Sequence, residues 1–432
     1  MLILVWIAGG ASRADVMGQV VVRAGGWAIM IATILAGPRP VFSSIRPVLF
    51  ILIAAIALPL VQLIPLPPSW WQALPGRDIL LVPGQPLVWR PLTMTPGATR
   101  NALASLVVPT VMVILLAQAN ERTYRSMPTM LTVMIGAAML LGLLQFSGAG
   151  FNSPLMNDTP GVVSSIFANR NHFALFLAIG CLLAPVWAFG DRGALRWRGP
   201  LAVGLVLLFI LTILATGSRS GMLLGAVALL LSFMLIGQSL RRQLRNAPRW
   251  VFPALVTAAG LIVLGVIALS FVADRADAIS RLIALDSSED MRVRARPTVL
   301  AMIALYLPFG SGFGGFDPVF RIHEAFSLLK PTYFNEAHND FLGIALDGGI
   351  PGIVALFAAC LWWAVASGRV WRLPIDEIVR YGRLGSAIIF LVLVASLTDY
   401  PARTPTIMVV LVIAATWLAR AQTMKTQAAL PA

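Results

Sequence analysis

The sequence predicts an all-α polytopic membrane protein, one membrane domain over residues 1–432 with about eleven to twelve transmembrane helices. Three observations carry that reading. The chain is 58% hydrophobic and only 12% charged, with mean hydropathy +0.85. Its apolar residues gather into runs of around 20, the length a helix needs to cross about 30 Å of hydrocarbon. Its Arg and Lys residues sit in short clusters between those runs rather than on one polar face.

The spans expected from these runs are 18–36, 45–66, 100–119, 126–147, 167–190, 197–216, 219–238, 251–273, 341–365, 385–399 and 404–420. The opening "MLILVWIAGGASRADV" has an apolar stretch without a basic lead-in, so it reads as a stunted twelfth span, shortened by the choice of start codon, rather than a cleavable signal. With a cytoplasmic N-terminus, "LRWRGP", "RRQLRNAPRW", "GRVWRLPIDEIVRYGR", "ERTYR" and the tail with Arg420 and Lys425 all fall inside, as the positive-inside rule requires. Two long segments then fall outside, 67–99 and 274–340. In the first, "PLPPSWW" suits a membrane-interface anchor, since Trp favours that belt. In the second, "RPTVLAMIALYLP" is apolar but too short to span, so an interfacial or re-entrant helix with Pro297 near its first turn is expected.

The net charge of +14 comes from 32 Lys and Arg against 18 Asp and Glu. Its scatter between spans argues for topology and against a nucleic-acid partner. Cys181 and Cys360 both lie inside apolar runs, where cysteine behaves as a small hydrophobe, and carry no disulfide or metal reading.

Charge inside the bilayer is costly, so charged residues at the outer ends of spans ask for a reason. Four places qualify: Arg170, Asn171 and His172 in "FANRNH"; Arg219 in "ATGSRSGM"; Arg292, Arg294 and Arg296 in "SSEDMRVRARP"; and Asn335, Glu336, His338, Asn339 and Asp340 in "NEAHNDFLGIALDGG". Each has a bland explanation taken singly. Arg219 can snorkel, Asn171 and His172 can cap a helix, and the "RVRAR" run can be a solvated face, although an extended strand would put its three guanidiniums together. All four fall on the same, non-cytoplasmic side of the threading, and arginines gathered there make a receptor for an anion, phosphate above all. "GSGFGG", 310–315, lacks the G-K-[ST] of a nucleotide loop and reads as a turn. A metal on Glu336, His338 and Asp340 is disfavoured by the absence of paired histidine spacing.

"FANRNHFA", "ATGSRSG", "LPFGSGFGGFD" and "NEAHNDFLGIALDGGIPG", in that order around one large outer loop, resemble successive motifs of the bacterial O-antigen ligase and O-antigen polymerase superfamily over roughly residues 100–400. The resemblance implies a GT-C-like glycosyltransferase in the inner membrane with the loops 67–99 and 274–340 in the periplasm. It implies an undecaprenyl-pyrophosphate-linked glycan as donor, no metal or other cofactor, and lipid A-core or a growing glycan as acceptor. By the same resemblance His338 is the catalytic position. The resemblance also assigns Arg219 and either Arg292 or Arg294 to the pyrophosphate; from their place at the same outer ends, Arg170 is expected beside them and Asn171, His172, Asn335, Glu336, Asn339 and Asp340 are expected to support them. Either Glu336 or Asp340 is expected to orient the His338 ring. Ligase-like transfer is the leading expectation, a polymerase of the same superfamily the alternative, and a lipid or solute transporter the rival of another class. The near absence of charge inside the spans argues against the transporter.

Overall fold

The computed structural model describes residues 1–81, 83–84, 86–148, 153–157, 161–189, 197–243, 288–329 and 334–428, with isolated positions between 257 and 268. Among the described residues, ten helices are long and apolar enough to cross a membrane. The expected span 251–273 lies outside them.

In chain order the helices are α1 (Leu2–Ala8), α2 (Met17–Ala36), α3 (Arg46–Gln62), α4 (Pro68–Gln72), α5 (Pro96–Ser105), α6 (Val107–Gln118), α7 (Glu121–Phe146), α8 (Arg170–Phe189), α9 (Arg198–Ala215) and α10 (Arg219–Gln243). After them come α11 (Ser288–Tyr306), α12 (Phe316–His323), α13 (Asp340–Arg372), α14 (Glu377–Ala395) and α15 (Pro405–Ala428). The opening stretch expected as a stunted span is α1, seven residues long. At 1.5 Å per residue it covers roughly 10 Å and cannot cross a bilayer. It packs against α2 and α15 instead, where Thr406 donates to the carbonyls of Val5 and Gly9. α5 and α6 form one bent span, Pro96–Gln118.

The core is the helix α8, buried over 89% of its most apolar window and wrapped by α7, α9, α10 and α14. α8 has no polar face for solvent along its length, and its neighbours shield it from lipid. The start of α8, the α9–α10 turn, the start of α13 and the α14–α15 loop all emerge at one end of the bundle, where they line one cleft.

The expected helix in the outer loop begins nine residues before Pro297, at Ser288. Met291, Ala295, Val299 and Met302 recur at helical spacing and are buried, with Phe316, Val319 and Phe320 of α12, in a second apolar cluster. That stripe overrides the extended reading of "RVRAR". On a helix Arg292 and Arg296 share a face and Arg294 lies on the opposite one.

α13 is broken. Gly349 has φ 57° and ψ −148°, outside the range of any residue with a side chain. The glycine-rich segment after α11 fills the gap: Ser311 N–H donates to Leu346 O at 2.9 Å, Gly312 N–H to Asp347 O at 3.0 Å, and Ile350 N–H to Pro308 O at 2.8 Å. A Cβ on Gly310 would sit 2.5 Å from Asp347 O, so only glycine permits this approach. The segment expected as a simple turn therefore satisfies the backbone groups that a helix break exposes. Gln62 at the end of α3 completes the junction, donating to Asp347 O at 2.8 Å and accepting from Phe313 N–H at 2.9 Å.

The loop 67–99 is stitched to the same place. Its ends pair as a short antiparallel ladder, Pro65–Leu66 with Arg90–Pro91. Buried Arg77 donates to the carbonyls of Leu92 and Gly310. Trp70 is exposed, as a membrane-interface anchor would be, whereas Trp71 is buried and donates to Pro91 O at 2.9 Å.

Candidate functional site

Three helix starts converge at one end of the bundle, each capped by a polar side chain. Asn169 accepts from Asn171 N–H before α8, Ser218 from Gly221 N–H before α10, and Asn339 from Leu342 N–H before α13. Between them opens a cleft of about 1070 Å³ lined by Arg170, Arg219, Arg292 and Arg296, with His338 and Tyr400 in its wall. None of the described lining residues is acidic. Leu223, Leu224, Val293 and Leu342 continue it as an apolar flank. Four guanidiniums, helix starts at its rim and an apolar flank suit an anion carried on a hydrocarbon chain.

The carboxylate that organises this wall is Asp399, in the α14–α15 loop. It is 3% exposed. Its Oδ1 lies 3.5 Å from His338 Nδ1 and 3.6 Å from His172 Nε2. Its Oδ2 accepts from Asn171 at 2.7 Å and Asn169 at 3.0 Å and lies 3.8 Å from Arg292 Nη2. Burial would push this carboxyl up, but hydrogen bonds from His172 and His338 and the nearby Arg292 outweigh it and hold Asp399 well below the usual carboxylate range. The carboxylate is therefore ionised at neutral pH.

His338 occupies the left-handed region, φ 47°. Its ring is wedged between Phe334 and Tyr400, both 5.0 Å between centroids. Burial pushes its pKa down from about 6.5, and Asp399 opposes the shift only in part. The imidazole is neutral at pH 7, with Nδ1 turned to Asp399, so Nε2 is the nitrogen left for the cleft. Burial and the Asp399 charge push the Tyr400 phenol up, and it stays protonated.

The other expected residues divide between two surroundings. Arg170, Arg219, Arg292, Asn171 and Asn339 line the cleft beside His338. Arg294 points round the far side of α11 and donates to Ser327 O. His172 is buried behind the wall, with Thr404 Oγ1 2.9 Å from its Nδ1. Neither Glu336 nor Asp340 orients His338, contrary to expectation. Both face Arg403, with Glu336 Oε2 2.8 Å from Nη1 and Asp340 Oδ1 3.7 Å from Nε; Asp347 joins them 3.3 Å from Nη2. Burial pushes Glu336 up to about 7 despite Arg403. The physical reason is local: in a five-residue turn from 335 to 339 the side chains cannot all face one way, and the left-handed His338 turns its ring opposite to Glu336. Glu336 and Asp340 consequently face Arg403, while His338 faces Asp399.

Residues 204–357, from α9 through the broken α13, match the family model described as O-antigen ligase. The match, over about a third of the chain, supports the O-antigen ligase and polymerase superfamily. The matched stretch contains Arg219, Arg292, Arg296 and His338, while Arg170 lines the same cleft from outside it and Asp399 backs the cleft wall behind His338. The match supports a membrane enzyme that transfers glycosyl groups. A comparison with curated proteins returns no match.

Asp399 and Arg403 went unnoticed in the sequence. The signal was present in "SLTDYPARTP", a charged pair at the outer end between two apolar runs, the same criterion that singled out the other four places.

Proposed function

We propose that the protein transfers a glycan from an undecaprenyl-pyrophosphate-linked donor to an acceptor hydroxyl at the periplasmic face of the inner membrane, in the manner of an O-antigen ligase with lipid A-core as acceptor. The observation that carries the reading is the acid-free, four-arginine cleft with a neutral, carboxylate-held histidine in its wall.

Arg170, Arg219, Arg292 and Arg296 hold the pyrophosphate and stabilise the charge that grows on it as the bond to the sugar breaks. Leu223, Leu224 and Leu342 take the first isoprene units. His338 Nε2 accepts the proton of the acceptor hydroxyl, whose oxygen forms the new bond to the anomeric carbon from the face opposite the departing phosphate, inverting that centre. Undecaprenyl pyrophosphate leaves. Asp399 keeps the ring oriented through Nδ1 and stabilises the imidazolium that forms, a positioning role. With four guanidiniums over the phosphates, this chain's own residues supply the positive charge the leaving group needs. The orientation rests on Arg198, Arg241, Arg242, Arg369 and Arg372, which lie at helix ends on the face away from the cleft, as cytoplasmic loops require.

A gene deletion tests the assignment. Loss of smooth lipopolysaccharide with accumulation of lipid-linked polymer is expected of a ligase, whereas lipopolysaccharide capped with single repeat units would indicate a polymerase and unchanged glycans would remove the reading.

A further inference from the structure

His172 is a buried histidine, 2% exposed, to which the transfer step gives no task. Its ring packs edge-to-face on Tyr400, 5.3 Å between centroids, and the His338 ring packs on the same tyrosine at 5.0 Å. Both histidines also reach one oxygen of Asp399, and that oxygen has more donors than it can serve. Oδ1 already accepts from the Tyr400 backbone N–H at 3.0 Å. A carboxylate oxygen offers about two lone-pair sites, so one remains. Two imidazoles approach it from nearly equal distance, His338 Nδ1 at 3.5 Å and His172 Nε2 at 3.6 Å. Both distances exceed the roughly 2.7–3.2 Å of a full-strength N–H···O bond. Oδ2 gives no relief, since Asn169, Asn171 and Arg292 gather on it. One imidazole can close on Oδ1 only as the other withdraws.

The surroundings of His172 allow it to withdraw. Its Nδ1 lies 2.9 Å from Thr404 Oγ1, and its Nε2 lies 3.4 Å from Asn169 Nδ2. A threonine hydroxyl donates or accepts, and an imidazole with one proton donates from one nitrogen and accepts at the other. Two arrangements therefore satisfy the ring. In the first, the Thr404 hydroxyl donates to Nδ1 and Nε2–H points at Asp399 Oδ1. In the second, Nδ1–H donates to Thr404 Oγ1, Asn169 donates to Nε2, and Oδ1 is left to His338. Neither arrangement leaves a buried ring nitrogen unpaired, the outcome that would cost most.

We propose that His172 is a positioning residue that competes with His338 for Asp399 Oδ1, and that its hydrogen bond to Thr404 decides how strongly it competes. This rests on the transfer reaction proposed above, in which His338 is the base. The electrostatics run the same way. Burial is the main cause that lowers His338, and His172 adds to it; against burial, the hydrogen bond from His172 helps to hold Asp399 low. The titratable and charged groups facing the pair are His338 and Asp340 at the start of α13, Arg292 on α11 and Tyr400 in the loop itself. α8 contributes the uncharged Asn169 and Asn171, and Arg403 is held by Glu336, Asp340 and Asp347.

The chain has three histidines, so full-length protein in nanodiscs, with histidine labelled at its ring nitrogens, gives three rings to follow by NMR. His172→Phe keeps a ring against Tyr400 and removes both nitrogens. Thr404→Val keeps the shape and removes the hydroxyl; a proton on Nδ1 would then have no acceptor, so it stays on Nε2, aimed at Asp399. The His338 titration midpoint is read by NMR without substrate, and again as the acid limb of kcat with a defined isoprenyl-pyrophosphate glycan donor. In His172→Phe it is expected to rise by about 0.5–1 pH unit, the worth of one strengthened hydrogen bond. In Thr404→Val it is expected to fall, with donor KM unchanged in both variants. A merely structural role for His172 would not move the midpoint in opposite directions. An unmoved midpoint in both variants, or a shift of the same sign in both, overturns the competition. Should His172→Phe fail to fold, Thr404→Val decides alone, and a midpoint at or above the wild-type value overturns the proposal. Absence of transfer by the wild-type protein overturns the reaction instead, and the NMR midpoints still decide the competition.

Discussion

At the scale of single residues, the reading turns on the His338–Asp399 contact. His338 must be neutral to take a proton, and burial pushes its pKa below about 6.5. The acid limb of the rate profile is therefore expected below that value, with activity flat from there towards neutral pH. Asp399 opposes the shift. Asp399→Asn removes that opposition, so the acid limb moves to lower pH still, while kcat falls because the ring and the imidazolium lose their partner. A limb that moves upward in the variant would contradict the assignment. The arginines divide as sharply. Arg296→Ala removes a cleft guanidinium, and hydrogen bonds between charged groups are worth about 1.5–3 kcal/mol, so kcat/KM is expected to drop about tenfold to a hundredfold. Arg294→Ala, on the exposed opposite face of α11, is expected to change it by no more than about twofold. Equal losses in the two variants would return "RVRAR" to an undivided patch.

At the scale of elements, the broken α13 and the glycine segment that fills it position the site. The break lets α13 present His338 at one end of the bundle while its second half continues through the membrane. Gly349→Ala forces a side chain into a glycine-only conformation, costing about 1–3 kcal/mol. It also sets a Cβ 2.2 Å from Pro308 O. The variant is expected to lose thermal stability and transfer together, read by melting of the purified protein in detergent. A wild-type melting temperature would mean the junction is not needed. The same elements show where sequence reading ran out. "GSGFGG" and "DGG" are both visible as glycine runs, but that one fills the break in the other is a contact over some 35 residues that no local pattern encodes. The period of Met291, Ala295, Val299 and Met302 was legible and would have moved the start of α11 ahead of Pro297, had the stripe been weighed above the proline.

At the scale of the whole molecule, ten of the expected spans recur as membrane-length helices with ends shifted by up to eight residues, because apolar length and the basic connections between spans are written locally. That the candidate residues gather at one end of the bundle was legible for the same reason. Asp399 was not: its importance comes from α8, α11 and α13 being brought against a short loop, which only the packing reveals. Orientation is open to a direct check. A cysteine replacing Phe326, 89% exposed near the cleft end, is expected to react with a membrane-impermeant maleimide in intact spheroplasts. A cysteine replacing Glu121, at the opposite end, is expected to react only after lysis. The reverse pattern would put the cleft in the cytoplasm. The central claim is tested most directly by glycan transfer from a defined lipid-linked donor, using purified wild-type protein and His338→Ala side by side. The account predicts transfer by the wild-type protein and its loss in the variant with donor binding retained; wild-type turnover in His338→Ala would contradict it.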